Sequence, residues 1–323
     1  QLEAFLRDWP ALSLTASSAD YYFNSYNHYG VHEDVLKDVV TGGAYMQAIL
    51  QNAHLFRGAT VLDACAGLGV CALLAAKAGA KRVIALEAQQ ELVDMGSRVA
   101  LRNGYGPEVL EFVCGMPDSI DALPGGVEAV DIILSEWMGY FLMYESRLSE
   151  VLRARDRWLK PGGLMFPDRA KLYIAAMEDA PYKERHLAYY DHVWGFDFSP
   201  MKAPAHGEPV VNAFDQSQLV SSPACVLDLN LLTCKAEDCF QMASSFQLSC
   251  RRAGAAHALL AWFEIRFGAC HKPIAFATGP HSPATCWKQT AFFLHGPPLA
   301  AKAGDRLRGM IAVRRASEQR RHL

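Results

Sequence analysis

Two glutamates in a short aromatic segment have the residue types and spacing that could do chemistry. Glu136 and Glu145 lie within 135–146, which directly follows the apolar run 129–134. Open α/β folds place their sites at the carboxyl ends of parallel strands, so we expect the loop to fold both carboxylates toward one point. Two converging acids suit a planar guanidinium, which offers five donors in a fixed fork. A generic acid pair could instead serve glycoside hydrolysis or a metal ion.

A glycine-containing turn indicates a second ligand. The apolar run 60–63 enters the small-residue turn 64–69, and an alanine-rich helical pattern follows over 71–80. Such a turn aims a helix N terminus at a ligand. The next apolar run ends in Glu87, and a carboxylate at the tip of a second strand can accept both hydroxyls of a ribose. We therefore expect an adenosine-containing cofactor, whose base Asp118 could reach.

Strand-like and helical patterns alternate through the first half of the chain. The predicted strands cover 60–63, 82–87, 109–114 and 129–134, and the predicted helices cover 71–80, 91–103 and 145–159. An earlier helical pattern runs from about His32 to Leu55, with an interruption at Gly42 and Gly43. Continuous apolar strands are typical of a parallel sheet covered on both faces. Such a sheet would position the glycine turn and the glutamates at one edge.

After Pro167 the pattern becomes typical of antiparallel strands. Strand-like runs occur at 171–175, 224–232, 245–250, 258–267 and 290–294, separated by Gly, Pro, Asp and Asn. This spacing predicts a mostly antiparallel barrel or sandwich. An aromatic, helical insert lies at about 178–209. Its aromatic side chains favour a partner-binding arm, or else they cover a small core within the insert itself.

Composition excludes several classes of protein. The formal net charge of −3 over 323 residues argues against binding nucleic acid through bulk electrostatics. No apolar run has the length of a membrane span, and residues 1–20 lack a signal-peptide pattern, so no membrane partner is expected. The nine cysteines are scattered and lack a CxxC pair, which indicates reduced thiols in the cytoplasm or nucleus and no metal site.

Taken together, the motifs resemble those of type I protein arginine methyltransferases, from about Tyr22 to Leu323. The shared motifs are Tyr22-Phe23-x-x-Tyr26, the glycine turn, Glu87, the double-glutamate loop, Phe166-Pro167-Asp168 and Trp287-Lys288-Gln289-Thr290. The resemblance implies an α/β fold: a Rossmann-like S-adenosylmethionine-dependent methyltransferase domain followed by an antiparallel β-barrel with a helical dimerisation arm. We expect N-terminal helices over 1–58, the cofactor domain over 59–167 and the barrel over 168–323. The family's barrel continues for a further strand pair, so we expect it to be shortened here or to continue beyond Leu323.

The resemblance also implies roles for individual residues. Glu136 and Glu145 would hold the substrate guanidinium and orient it for methyl transfer, and Met138 would shape the pocket. Most of the acceleration would come from positioning and electrostatics. The expected cofactor-binding residues are Asp63, Gly67, Gly69, Glu87 and Asp118.

Four positions depart from the family pattern. Thr41 replaces an arginine that grips the cofactor carboxylate, and losing one partner of a buried charged pair costs roughly 2 to 5 kcal/mol. Cys65 replaces the first turn glycine, where a side chain would block close approach or strain the backbone. Cys286 replaces a histidine expected to pair with Asp38, and a thiol cannot replace an imidazole. Asp118 stands where the family has a longer glutamate.

These departures favour a regulatory subunit with weak or no activity, which assembles with an active paralogue as prozymes do. The resemblance is compatible with the activating paralogue of trypanosomatids. The alternative is an active type I enzyme, as a homodimer, that methylates arginines of RNA-binding or histone-like proteins; the retained glutamates favour it. A nicotinamide oxidoreductase is a weaker alternative, because its turn would normally contain GxGxxG.

Overall fold

The computed structural model describes residues 28–315, apart from the side chains of Tyr29 and Asp238. The motif Tyr22-Phe23-x-x-Tyr26 lies outside the described residues. A five-stranded parallel sheet has the order β3-β2-β1-β4-β5. Its strands are β1 (Thr60–Asp63), β2 (Arg82–Glu87), β3 (Leu110–Cys114), β4 (Val130–Leu134) and β5 (Leu159–Phe166). Each of the central strands β1, β2 and β4 is buried except for one partly exposed residue, in keeping with the apolar runs.

Six helices accompany this sheet. They are α1 (Tyr29–Lys37), α2 (Val39–Leu50), α3 (Ala53–Phe56), α4 (Val70–Lys77), α5 (Gln90–Arg102) and α6 (Leu148–Trp158). The prediction of a break at Gly42 and Gly43 is wrong, because both glycines lie inside α2 and the break falls at Asp38. The Asp38 side chain accepts the backbone N–H groups of Val40 and Thr41, so it caps α2. A helical glycine costs only about 1 kcal/mol, which α2 tolerates.

The predicted helix over 145–159 is wrong at its start, since α6 begins at Leu148. Glu145 has a φ of 58°, in the left-handed region, and therefore belongs to the loop. The helix ends at Trp158, ahead of Pro161, and the chain continues directly into β5. The peptide bond between Phe166 and Pro167 is cis.

Antiparallel strands form the second half of the described chain. They are β6 (Arg169–Met177), β7 (Val210–Asn212), β8 (Ala224–Asn230), β9 (Gln241–Ser249), β10 (Gly254–Ala256), β11 (Ala258–Phe267), β12 (Ile274–Ala277), β13 (Gln289–Phe293), β14 (Leu299–Ala301) and β15 (Arg306–Arg314). The largest sheet has the order β7-β13-β11-β6-β8, with β12 also paired to β11. β9 pairs with β15 and β10 with β14. A short helix, α9 (Ala236–Phe240), precedes β9.

Four buried aromatic rings join the two halves of the molecule. Tyr45 of α2 meets Phe267 of β11 edge to face, with ring centroids 4.9 Å apart. Phe166 of β5 lies 5.1 Å from Phe56 and 6.1 Å from Phe267. Such aromatic contacts each add about 0.5–1.5 kcal/mol beyond area burial. The cluster fixes α2 and the parallel sheet against the β-rich half.

The aromatic insert contains α7 (Ala180–Ala188) and α8 (Lys202–Gly207), joined by short turns. Its base is anchored, because Tyr182 stacks on Phe293 at 5.3 Å and Lys183 donates to the carbonyls of Leu294 and Gly296. Its tip is exposed: Trp194 is 92% and Phe196 68% accessible. The exposure favours a partner-binding arm over a self-covering segment.

Candidate functional site: a cofactor-type cavity beside the double-glutamate loop

A cavity of about 850 Å³, open mouth included, lies at the carboxyl edge of the parallel sheet. Its wall comprises His32, Val35, Leu36, Asp63, Cys65, Ala66, Gly67, Leu68, Val70, Cys71, Glu87, Leu92, Glu136, Met138, Arg147 and Trp287. The predicted cofactor residues Asp63, Gly67 and Glu87 therefore meet at one site, and Glu136 and Met138 join them there.

The two glycines of the turn have different physical roles. Gly69 has a φ of 84° and precedes α4, and a Cβ there would lie 2.3 Å from the Phe112 ring. Gly67 has a φ of 52°, no atom within 4 Å of an added Cβ, and an N–H that donates to Glu87 Oε2 at 3.0 Å. Gly69 therefore serves helix and sheet packing, whereas Gly67 lines the cavity and connects the turn to Glu87.

Cys65 occupies the turn without left-handed backbone strain. Residue 65 is not among the positive-φ positions of the described chain, so the expected glycine-only conformation is absent. The thiol lines the cavity, and burial raises its pKa to about 12, which keeps it neutral at physiological pH. The substitution therefore acts by occupying space in the cavity.

Asp63 ends β1 with its carboxylate in the cavity wall. The side chain is 1% exposed, and within the described chain no donor reaches its Oδ2 atom. Burial is the largest effect and raises the pKa of Asp63 to about 7. A buried acceptor of this kind suits an ammonium or hydroxyl donor of a ligand.

Asp38, Thr41 and Cys286 form one hydrogen-bonded cluster. Four donors reach the carboxylate of Asp38: the N–H groups of Val40, Thr41 and Cys286 and the hydroxyl of Thr41, all at 2.9–3.0 Å. A carboxylate has about four lone-pair sites, so this set fills them. Burial and the Asp38 charge raise the pKa of the Cys286 thiol well above its usual range, so the thiol stays neutral. Thr41 is 3% exposed and is not part of the cavity wall.

The double-glutamate loop is a tight, strained hairpin. Isolated bridges pair Gly139 with Leu142 and Tyr140 with Tyr144. Phe141, Leu142 and Glu145 all have positive φ, of 52°, 65° and 58°. Such strain in non-glycine residues persists only where the surrounding structure imposes it and is typical of functional sites.

The two glutamates line adjoining pockets. Glu136 lines the cofactor-type cavity, and Glu145 lines a neighbouring pocket with Tyr140, Tyr144 and Cys286. Met138 and Trp287 contribute to both walls. Burial, followed by the charges of Asp38 and Asp63, raises the pKa of Glu136 to about 7. Glu136 is therefore a partly protonated acid in the cofactor-type cavity. Glu145 is a second acid in the neighbouring pocket, on the other side of Met138 and Trp287.

Asp118 lies apart from this group. It is an exposed residue whose Oδ1 atom is 2.6 Å from Nε of Arg153, and it is not part of the cavity wall. Conversely, the sequence interpretation missed His32 and Arg147, which do line the cavity. Arg147 immediately follows the double-glutamate loop, and this adjacency is the signal that could have identified it. Within the described part of the chain, no cluster of His, Cys, Asp or Glu could hold a metal ion.

The fold and site define a two-part class: a parallel α/β domain with an adenosine-type cavity, fused to an antiparallel β-rich domain. A methyltransferase domain model matches residues 61–163, and the arginine methyltransferase oligomerization subdomain matches residues 168–323. The chain belongs to the protein arginine methyltransferase family.

Curated relatives and solved structures agree with this assignment. Protein arginine N-methyltransferase 1 of Schizosaccharomyces pombe is 46% identical, over 95% of this chain and 88% of that protein. The Caenorhabditis elegans protein of the same name is 42% identical, over 92% and 84% of the two chains. A chain of the Trypanosoma brucei enzyme–prozyme heterotetramer with AdoHcy has a TM-score of 0.87 and 35% identity, with 92% coverage of both chains. Arabidopsis thaliana protein arginine methyltransferase 10 has a TM-score of 0.83 and 28% identity, covering 93% and 92% of the chains.

S-adenosylmethionine is the cofactor of this family, and the cavity fits such a group in part. The glycine turn and the orphaned Asp63 Oδ2 atom suit an adenosine carrying an amino-acid tail. The fit is poorer at Glu87, where a protein guanidinium lies within ion-pair distance of the carboxylate. Among the described residues, no helix is both long and apolar enough to cross a bilayer.

Proposed function

We propose that this chain is a protein arginine methyltransferase subunit with weak or no methyl transfer of its own. It assembles with an active arginine methyltransferase paralogue, as a heterodimer or heterotetramer, and stimulates that enzyme. The main support for this proposal is the hydrogen bonding of Asp38, whose carboxylate accepts the hydroxyl of Thr41 and the backbone N–H of Cys286. The family resemblance implies an arginine and a histidine at these two positions. Two ionisable groups are thereby replaced by neutral ones beside the cofactor-type cavity.

The exposed arm supports the proposal that this chain still assembles with a partner although its own methyl transfer is weak or absent. Trp194 and Phe196 present large apolar surfaces at its tip, and aromatic residues dominate the energetics of protein interfaces. One solved structure with which the chain shares its fold is an enzyme–prozyme heterotetramer. We propose the organisation 1–58, 59–167 and 168–323, with the arm at 178–209. The nine free cysteines suit a reducing compartment, the cytoplasm or the nucleus.

Methyl transfer measured with and without a partner tests the proposal. The full chain is purified and assayed with S-adenosylmethionine and an arginine-rich peptide, alone and at equimolar ratio with an active paralogue copurified from the native source. We expect no turnover by the chain alone, a several-fold rise in kcat/KM of the paralogue, and a hetero-oligomer by light scattering. Turnover by the chain alone at a rate comparable with the paralogue would reject the proposal.

An active type I enzyme, acting as a homodimer on arginine-rich RNA-binding proteins, is the second candidate. The intact double-glutamate loop and the 46% identity to the fission yeast enzyme favour it. S-adenosylmethionine would supply an electrophilic methyl group. Glu136 and Glu145 would hold the guanidinium, draw its positive charge away from the attacking nitrogen and keep that nitrogen in line. Replacing Glu136 with Gln would then abolish turnover without affecting assembly.

A further inference from the structure

Arg147 is a buried cation in the wall of the cofactor-type cavity. Its side chain is 9% exposed, and Nη1 lies 3.6 Å from Oε2 of Glu87, whose side chain is 4% exposed. Of the cavity-lining residues in the described chain, it is the single arginine or lysine, against the three acids Asp63, Glu87 and Glu136. A buried arginine requires an acid nearby, and this geometry assigns Glu87 to that role.

Helix capping does not explain the position of Arg147. The residue stands at the N cap of α6 and makes no side-chain cap there. A positive charge at a helix N terminus opposes the helix dipole, so the location costs α6 stability. The backbone N–H of Arg147 donates to the carbonyl of Trp137 at 2.8 Å, which fixes the residue at the end of the double-glutamate loop. The backbone of the loop therefore places the Arg147 side chain at the cavity wall, and no capping bond holds it there.

The acceptor sites of Glu87 are almost all in use. Oε1 accepts the N–H groups of Ala88 and Gln89 at 2.7 and 3.2 Å, and Oε2 accepts that of Gly67 at 3.0 Å. Since a carboxylate has about four lone-pair sites, one site remains, on the oxygen that faces Arg147. A ribose that donates hydroxyls to Glu87 must therefore use the position that the guanidinium attracts.

We propose that Arg147 competes with the ribose of an adenosine-type ligand for Glu87, and thereby sets the affinity of the cavity for such ligands. The inference rests on the proposed function only in taking this cavity as the cofactor site. Arg147 would then lower the affinity for such ligands by occupying the acceptor site on Glu87 that the ribose needs. Ligand entry requires the guanidinium to move off Oε2 or to share it.

Calorimetric titration of the full chain with S-adenosylhomocysteine tests the competition. Replacing Arg147 with Met keeps length and apolar volume and removes the charge, which leaves Glu87 buried without its cation until ligand hydroxyls arrive. We expect the R147M dissociation constant to fall at least about tenfold relative to wild type. R102M, an exposed arginine of α5 outside the cavity wall, is the matched control and should bind as wild type does.

The outcomes separate clearly. Equal or weaker binding by R147M overturns the inference, and weaker binding would mean that Arg147 itself binds the ligand. If wild-type binding is below detection, measurable binding by R147M supports the inference and its absence overturns it. Turnover, which tests the proposed function, is assayed separately, so the two can fail independently.

A ligand-side measurement needs no variant and covers the case in which R147M does not fold. The 2′-deoxy analogue of S-adenosylhomocysteine lacks one hydroxyl that would bond to Glu87. Wild type should lose less than about threefold in affinity for it, because Glu87 is already engaged. A loss of about tenfold or more would show an unobstructed ribose anchor and overturn the inference. If wild type binds neither compound and R147M fails to fold, R147Q is titrated with S-adenosylhomocysteine instead. Measurable binding by R147Q then supports the inference, and no binding overturns it.

Discussion

The hydroxyl of Thr41 donates to Oδ2 of Asp38 at 2.9 Å, and the backbone N–H of Cys286 donates to the same oxygen at the same distance. A helix cap and a segment of the β-rich half therefore share one carboxylate. The Thr41 hydroxyl is engaged by Asp38 and carries no charge, so residue 41 of α2 contributes no charge to the cavity. These bonds satisfy the acceptors of Asp38 with Thr41 and Cys286 at the two positions where the family resemblance implies an arginine and a histidine.

Restoring a cation at residue 41 should strengthen ligand binding. Thr41→Arg gives up one hydrogen bond to Asp38, worth about 1 kcal/mol, and places a guanidinium at the position where the family resemblance implies an arginine that binds the cofactor carboxylate. We expect the dissociation constant for S-adenosylhomocysteine to fall at least about tenfold by calorimetry. Thr41→Ser keeps the hydroxyl and should bind as wild type does. Equal affinity in T41R and T41S would show that residue 41 does not control carboxylate binding.

The stability of the folded chain should depend on the charge of Glu136. Its pKa of about 7 when folded lies well above the unfolded value, so the folded state holds the proton more tightly. The stabilisation from that proton is complete below about pH 4 and is lost as the pH rises through 7. Glu136→Gln removes the titration. We therefore expect E136Q to match wild type near pH 4 and to exceed it by about 1–3 kcal/mol at pH 8.

Urea denaturation of both proteins from pH 4 to pH 8 measures this difference. The wild-type curve subtracted from that of E136Q reports the titration of Glu136 together with its electrostatic coupling to Asp63, whose charge contributes to the raised pKa. A stability difference that does not change with pH would contradict the raised pKa of Glu136. Asp63, whose pKa is also raised to about 7 by burial, should give the same sign when replaced with Asn.

Local patterns predicted the elements better than they predicted their ends. The apolar runs identified the strands that carry Asp63 and Glu87, because burial on both faces leaves a continuous apolar signal. The helix break at Asp38 could not be chosen over one at Gly42, since capping depends on donors that come together only in the fold. The environment of Arg147 was equally inaccessible, because Glu87 is distant in sequence. Cys65 was expected to strain the turn, and the backbone avoids this by keeping φ negative there.

The arm tip should control assembly. Replacing Trp194 and Phe196 with Ala removes two aromatic side chains that are 92% and 68% exposed. Since interface aromatics are frequent hot spots, we expect the dissociation constant of the oligomer to rise at least about thirtyfold, by light scattering over a concentration series. Met310→Ala, a comparably exposed apolar residue on β15, is the control. An unchanged dissociation constant in the double variant would show that the arm tip does not contribute to the interface.

The double-glutamate loop should tolerate no side chain at residue 139. A Cβ on Gly139 would lie 1.8 Å from the carbonyl oxygen of Tyr144, across the bridge that closes the hairpin. Because the clashing atom belongs to the backbone, it cannot rotate away as a flexible side chain could. Gly139→Ala must therefore open the loop, and Glu136 and Glu145 would no longer be held in their present positions. We expect a loss of about 2–4 kcal/mol in the free energy of unfolding by urea denaturation. Gly42→Ala is the matched control, because it lies in α2 with no atom within 4 Å of an added Cβ and should gain about 0.5–1 kcal/mol. Equal stability of the two variants would mean that the hairpin is not closed as described.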